Sequence, residues 1–590
     1  MTFFNGPRGR NTTSSAPETI RAAATPVVSS AVADPAHVGD IVGALGTIGK
    51  DETTTGRSRW RRLQMLLVIM GPGLIVMVGD NDAGGVATYA QAGQNYGMAL
   101  MWTLALLIPV LYVNQEMVVR LGAVSGVGHA RLIFARFGKF WGAFSVGDLL
   151  VLNALTIVTE FIGVSLALGF FGLGKAVSVP VAAVALFLVV AGGSFRRWER
   201  FLFVLIAINV VLVPLVVAVH PSVGLMASGL VPQFPGGLNS TLLLLMVAIV
   251  GTTVAPWQLF FQQSNVVDKR ITPRWIRYER ADLRIGIAVV MTGALILMAA
   301  AAFGFVGTGD AGHFTDAGAV AAGLSTHVGH SVGVLFAVVL LDASLIGANA
   351  VGLATTYTLG DTFNKRHSLH WKLTEAPLFY AAYAVLLAGA AAVAFSPDAV
   401  LGLLTQGVQA LAGILLPSAT VFLVLLSNDR SVLGPWVNTV RQNILAGIIV
   451  WSLVLLSLAL TAATLFNDLS TATLEIGFAA GAGIGVLGGI GIAIARRRAT
   501  RAAAAKQART LGDLDPDQIE ELDSHPSTLT RAERRALIDQ DRAGWRTPAL
   551  HTLQRPAMSP LRRAGLITLR GYLLVAVALV VVKIVQTIGG

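Results

Sequence analysis

The stretch GDNDAGG, Gly79 to Gly85, places two carboxylates, one amide and three glycines inside an apolar run that begins at Leu63 and resumes toward Tyr96. Carboxylate and amide oxygens are ligands for hard cations. A carboxylate at the bilayer centre costs on the order of 3 kcal/mol unless it is paired or hydrated. Irregular backbone at that depth is tolerated where it lines a cavity or binds an ion. GDNDAGG supplies both the oxygens and the irregular backbone. A second interruption occurs in GTTVAPWQ, Gly251 to Gln258, where Pro256 removes an amide donor and clashes with the preceding turn. Either break alone is equally well read as a structural kink. Together they fall in the first and sixth apolar runs, the placement produced by a five-plus-five inverted repeat with its substrate at mid-membrane between discontinuous helices.

The elements that must carry these breaks are membrane spans. Of 590 residues, 54% are hydrophobic and 13% charged, and the mean hydropathy is +0.69, too apolar for a soluble chain of this length. Runs long enough to cross ~30 Å of hydrocarbon occur at 64–96, 98–119, 142–172, 176–193, 201–220, 240–263, 285–307, 331–360, 376–396, 399–427, 442–465, 473–495 and 567–588, thirteen in all. Basic clusters at Arg57 to Arg62, Arg120 to Lys139, Arg196 to Arg200, Lys269 to Arg284, Lys365 to Lys372, Arg430 to Arg441 and Arg496 to Arg563 fall in every second gap. That alternation assigns the N-terminus to the cytoplasm and, with an odd count, the C-terminus to the outside. It also accounts for the net charge of +11 as topogenic loop charge rather than a nucleic-acid surface.

The expected fold is therefore an all-α polytopic membrane protein, a LeuT-like 5+5 inverted repeat with discontinuous helices 1 and 6 and extra C-terminal helices. Residues 1–60 read as a disordered cytoplasmic tail, 61–430 as the transport core of ten helices and 431–495 as helices 11 and 12. The segment 496–565 reads as a charged cytoplasmic linker or small helical module, a solvated tether by default with a regulatory role as the alternative, and 566–590 as the last span. Absence of cysteine excludes disulfides and thiolate chemistry. No P-loop, nucleophile elbow or zinc-hydrolase motif is present, so the chain does not read as an enzyme.

Four stretches then resemble one family, the Nramp (natural resistance-associated macrophage protein) divalent-metal transporters. They are MGPGLIVMVGDNDAGGVATYAQAGQNYGMALMW at 70–102, TEFIGVSLALGF at 159–170, GTTVAPWQLFFQQS at 251–264 and LTQGVQALAGILLPSATVFLVLLSND at 404–429. They look like that family's first, third, sixth and tenth spans. The departures are chemical. Where the family carries Asp-Pro-Gly-Asn, this chain has Asp82, Ala83, Gly84 and Gly85; where it carries Met-Pro-His, this chain has Ala255, Pro256 and Trp257. The resemblance implies Asp82 as a metal ligand, the Thr252 carbonyl as another, and Gln406 approaching the ion from the tenth span. Ala255 and Gly85 mark lost ligands, and Asp80 and Asn81 are additions that replace them directly or through water. A site without sulfur or imidazole favours hard ions over iron, zinc or cadmium. Mg²⁺, which retains several waters, is the leading cargo, with Mn²⁺ tolerated.

The same comparison bears on protons. The family's third-span aspartate is Ile157 here, followed by Glu160, and its sixth-span histidine is Trp257. The expectation is import of Mg²⁺ by alternating access without proton coupling, as in the family's magnesium-transporting branch, from a multi-pass position in the plasma (inner) membrane. The alternative is a proton-coupled Mn²⁺ importer, with a LeuT-fold amino-acid or amine carrier and a metal-sensing receptor further behind. The partners implied are divalent ions and lipid, with no cofactor. Among other polar residues within spans, Glu116 and Arg120 read as an i,i+4 ion pair. Asp342 reads equally as a packing hydrogen bond or a vestibule acid, and His313, His327 and His330 as incidental loop histidines.

Overall fold

A computed structural model describes residues 30–52, 58–465, 470–512 and 542–554, with scattered positions from 556 to 574. A short antiparallel hairpin, β1 (Ile41–Gly43) and β2 (Gly46–Ile48), precedes the helices. The first apolar run is divided into α1 (Arg59–Ile69), α2 (Pro72–Val78) and α3 (Ala83–Tyr96). Then come α4 (Met101–Ser125), the short α5 (His129–Phe137), α6 (Lys139–Phe170) and α7 (Lys175–Ala191). The fifth run is α8 (Phe195–Ile208) and α9 (Leu212–Ala218), with α10 (Val223–Ser228) behind it. The sixth run is α11 (Ser240–Thr253) and α12 (Pro256–Asp268). They are followed by α13 (Ile276–Phe305), α14 (Ala317–His327), α15 (His330–Phe363), α16 (Pro377–Val393) and α17 (Asp398–Ser427). After the small α18 (Arg430–Leu433), α19 (Val440–Leu465) and α20 (Thr471–Gly512) complete the set.

Among the described residues, nine helical segments are long and apolar enough to span a bilayer, and ten if the bent pair α1 and α2 is one span. The expected thirteen also include α7 and α16, which are shorter at 17 residues each, and 567–588, most of which lies outside the described residues. The first and sixth runs are both broken, as their glycines, aspartates and proline imply. α2 ends at Gly79 and α3 starts only at Ala83, while α11 ends at Thr253 and α12 starts at Pro256. A further bend of 52° separates α1 from α2 at Gly71, whose φ of 155° is open to glycine.

Around the breaks, α13 packs along α2 and α3, α15 along α6, and α17 along α11. At Gly251 the last contact is backbone on backbone, since an added Cβ would lie 2.1 Å from the Gln409 carbonyl oxygen. This close packing places the tenth run beside both breaks.

Two tail segments depart from the sequence reading. Residues 30–52, expected to belong to a disordered tail, carry the β1–β2 hairpin and are docked on the helices, with Ile41, Ala44 and Ile48 buried. The segment read as a linker or small helical module is helical as far as Gly512, in keeping with the second of these, but residues 542–554 are no solvated tether: they return to the core, where Thr547 Oγ1 donates to Val432 O at 2.8 Å. The acidic stretch DLDPDQIEELD lies outside the described residues, as do residues 1–29.

Candidate metal-ion site

Asp82 is the N-cap of α3. Its carboxylate accepts from the Gly85 amide at 2.7 Å, which satisfies one of the free donors at the helix start. Just before it, the amides of Asp80 and Asn81 bond back to Met77 and Val78, so the chain turns tightly between two helix ends. In the other break Ala255 is the N-cap of α12, and Pro256 takes the first helical position, where no amide is needed. Two helix C-termini and two N-termini thus meet, bringing both unpaired carbonyls and unpaired amides to one depth.

The breaks touch at Gly85. A Cβ built there would stand 2.9 Å from the Asp80 carbonyl oxygen, 3.0 Å from Thr252 Oγ1 and 3.4 Å from Asp82 Oδ1. Three oxygens from two spans therefore face the space that a side chain at position 85 would occupy. Thr252 Oγ1 is buried and has no hydrogen-bond partner. Neither has Asp80 Oδ2, whereas Asp80 Oδ1 is held by Gln258 Nε2. Buried oxygens left unpaired are costly; a cation with its remaining waters would satisfy them.

The other expected residues occupy distinct places. Glu160 on α6 is fully buried; its Oε2 accepts from the Ala83 amide at 3.1 Å and its Oε1 is unpartnered. It adjoins Asp82 across Gly347 of α15, where an added Cβ would meet the Glu160 carboxyl at 2.7 Å and Asp82 Cβ at 2.8 Å. Asn81 turns toward α13, where its Nδ2 donates to Val290 O at 3.2 Å. Trp257 is buried against Phe261, with its ring edge 3.4 Å from where a Cβ of Gly79 would lie. Ala255 and Ile157 are buried and offer no polar side-chain atom. Gln406 lies on α17, but its side chain is outside the described residues.

Three participants were not assigned from sequence. Gln258 bridges the breaks: its Nε2 donates to Asp80, and its Oε1 accepts from Gln115 Nε2 of α4 at 3.0 Å. Gln409, one turn beyond Gln406, lies directly over Gly84, with its Nε2 buried and unpartnered. Tyr89 OH pairs with Thr253 Oγ1 at 2.8 Å. The available signals were a glutamine two places after the proline and a repeated glutamine in TQGVQ. Among the described residues no group of three or more His, Cys, Asp or Glu side chains is placed to hold a metal, so any ion here relies on carbonyl, hydroxyl and water oxygens as well.

Away from the breaks, Glu116 pairs with Arg120 at 3.0 Å as expected, and also with Arg280 at 2.6 Å. Asp342 accepts from Asn209 at 2.8 Å, while its other oxygen is unpartnered. His327 meets Asp310 at 2.7 Å, and His330 stacks on Phe170.

Comparison with known proteins bears on the family and the fold. The family profile described as natural resistance-associated macrophage protein-like (Nramp) matches residues 73–463, more than half of the chain. The chain belongs to the Nramp family. A divalent metal cation transporter MntH of Ralstonia nicotianae is 30% identical over 398 residues, covering 64% of this chain and 86% of the relative. A MntH of Staphylococcus aureus is 26% identical over 416 residues, covering 67% and 89%. Among solved structures, the Eremococcus coleocola manganese transporter aligns with a TM-score of 0.55 at 21% identity, over 75% of this Nramp chain and 96% of that one. The architecture is that of the LeuT-like transporters, and the relatives are transporters rather than enzymes.

Proposed function

We propose that this Nramp chain imports hard divalent cations through an oxygen-only site, taking Mn²⁺ and extending its range to Mg²⁺. The Mn²⁺ reading is favoured by the relatives, which are named as manganese or divalent-metal transporters. The Mg²⁺ reading is carried by one observation: the three atoms nearest to where a Cβ of Gly85 would lie are all oxygens. Carboxylate, carbonyl and water ligands suit Mg²⁺ and Mn²⁺ alike. A site with few protein ligands suits Mg²⁺, which keeps part of its hydration shell.

In this reading Asp82 supplies the anionic oxygen, the two ends at Asp80 and Thr252 supply neutral oxygens, and Gln406 or its neighbour Gln409 approaches from α17. Asn81 acts through water, and Ala255 leaves room for the hydrated ion. Trp257 fills the volume beside the break, and Ile157 interrupts the proton route of the family. The basic-loop pattern supports an orientation with the N-terminus and the hairpin in the cytoplasm and the C-terminus outside. Each divalent ion entering down the membrane potential gains ~4.6 kcal/mol per 100 mV, twice the value for a single charge, without a proton.

A second reading, proton-coupled Mn²⁺ import, has one structural observation in its favour. Glu160 stands beside Asp82 with a free oxygen, where a proton could be held. Flux of Mg²⁺ and Mn²⁺ into proteoliposomes containing a trapped pH indicator tests both readings. Saturable uptake of both ions without acidification supports the first, and metal-dependent acidification supports the second.

A further inference from the structure

The inner end of the first span is closed by a buried polar knot. Asp282 of α13 accepts from the amides of Gly71, Gly73 and Leu74 at 3.1, 2.7 and 3.2 Å, capping the start of α2. Lys269, immediately after α12, donates to Met70 O at 2.8 Å and meets Glu199 Oε1 of α8 at 2.5 Å. Both side chains are fully buried. Four elements, α2, α8, α12 and α13, are thereby tied together between the two breaks and the basic face.

The N-terminal hairpin is bonded to the same knot. The Ala44 amide donates to the second oxygen of Glu199, and Arg200 Nε returns a bond to Ala44 O at 2.9 Å. Gly43 lies flat on α1 and the Lys269 stem: a Cβ there would stand 2.1 Å from Val68 O and 3.4 Å from Lys269 Cε. Arg270 Nε holds Ala36 O at 2.7 Å, and Asp34 accepts from Trp371 Nε1 at 3.0 Å and from the His367 amide at 3.3 Å. Residues 34–44 thus join α1, α8, the turn after α12 and the loop between α15 and α16.

α2 packs against α8, α12, α13 and α15, and opening the site to the basic face by rocking one group of helices against another would part α2 from some of them. The hairpin reaches across that seam. We propose that it is a latch: seated, it holds the inner gate shut by sharing Glu199 with Lys269, and the inward-open state forms only when it lifts. The latch rests on the alternating-access reading above, but not on the identity of the ion.

The chain contains no cysteine, so Asn265→Cys on α12, a buried position whose carbonyl accepts from the Lys269 amide at 2.9 Å, provides a single thiol one turn from the knot. Its labelling by a membrane-impermeant maleimide, applied to the basic-face side of sealed vesicles, reports inward opening. In that background Gly43→Val drives its Cβ into the Val68 carbonyl and unseats the hairpin while leaving every gate side chain in place. Deletion of residues 1–48 removes the hairpin altogether and carries the test if Gly43→Val does not fold. Labelling is expected to accelerate on the order of tenfold in either variant, the factor associated with one charged hydrogen bond. Unchanged labelling in the folded variants would overturn the latch. Faster labelling in vesicles that carry no Mg²⁺ or Mn²⁺ flux would sustain the latch and remove the transport reading instead.

Discussion

Replacing Gly85 with alanine adds one methyl group at the point where both broken spans meet. The new carbon would lie 2.9 Å from the Asp80 carbonyl oxygen, 3.0 Å from Thr252 Oγ1 and 3.4 Å from Asp82 Oδ1. Those first two contacts are a few tenths of an ångström shorter than relaxed packing allows, and the methyl also takes the volume of a coordinated water. Without an ion the oxygens can move apart; with one they must converge, so the strain falls on the bound state. Overpacking by a methyl costs about 1–3 kcal/mol, which corresponds to roughly a 5- to 150-fold rise in the KM for transported ion. The assay is initial-rate Mg²⁺ and Mn²⁺ uptake into proteoliposomes, with thermal unfolding to confirm that the variant is folded. A folded Gly85→Ala protein with the KM of the parent would refute the placement of the ion at this cradle.

Five further outcomes follow from the structure. Ala255→Met returns a thioether beside the break, and calorimetry is expected to show Cd²⁺ binding that the parent chain lacks. Gln258→Leu removes the donor that orients Asp80; a raised KM is expected, with Gln258→Asn restoring part of it. Glu116→Gln leaves Arg120 and Arg280 without their buried carboxylate, a loss of about 3–5 kcal/mol visible as a lower unfolding temperature with an unchanged KM. The latch should respond to pH through His37. Burial lowers its pKa from 6.5, outweighing the pull of Asp268 at 3.8 Å and of Asp34 and Asp361, with His367 reinforcing the drop. The seated hairpin is therefore favoured above pH 6.5 and loosens as pH falls below it, so Asn265→Cys labelling, divided by the rate of a free thiol at the same pH to remove the loss of thiolate, should rise in acid and His37→Gln should abolish that rise. At the alkaline end, burial lowers the pKa of His367 but Asp361 outweighs it and holds the group at about 9, so this ion pair is lost as pH rises through that value.

Both breaks were legible because glycine, aspartate and proline are so ill-suited to a lipid-facing helix that only a cavity or an ion explains them. Asp82 stood out in the sequence for the same reason; the structure shows it as the N-cap of α3, and its role toward an ion belongs to the proposal. The direction of Asn81 was not legible, because which way a residue in a turn points is decided by its neighbour, here α13. Gln258 and Gln409 escaped because a glutamine near a proline, or one turn from another glutamine, carries no signal until the helices are packed. The hairpin escaped for a related reason. Its strands are three residues each, and its anchoring bond joins Ala44 to Glu199 across 155 positions, beyond the reach of any periodicity.

The central claim is that Asp82 and the oxygens around Gly85 carry a hard divalent ion across the membrane. Its most direct test is Mg²⁺ and Mn²⁺ flux into proteoliposomes, parent beside Asp82→Ala, with a trapped pH indicator. Saturable uptake of both ions in the parent, loss of both in Asp82→Ala, and no acidification of the lumen are the expected results. Mn²⁺ uptake with no Mg²⁺ uptake, or uptake of either ion that survives Asp82→Ala or brings protons with it, would contradict the claim.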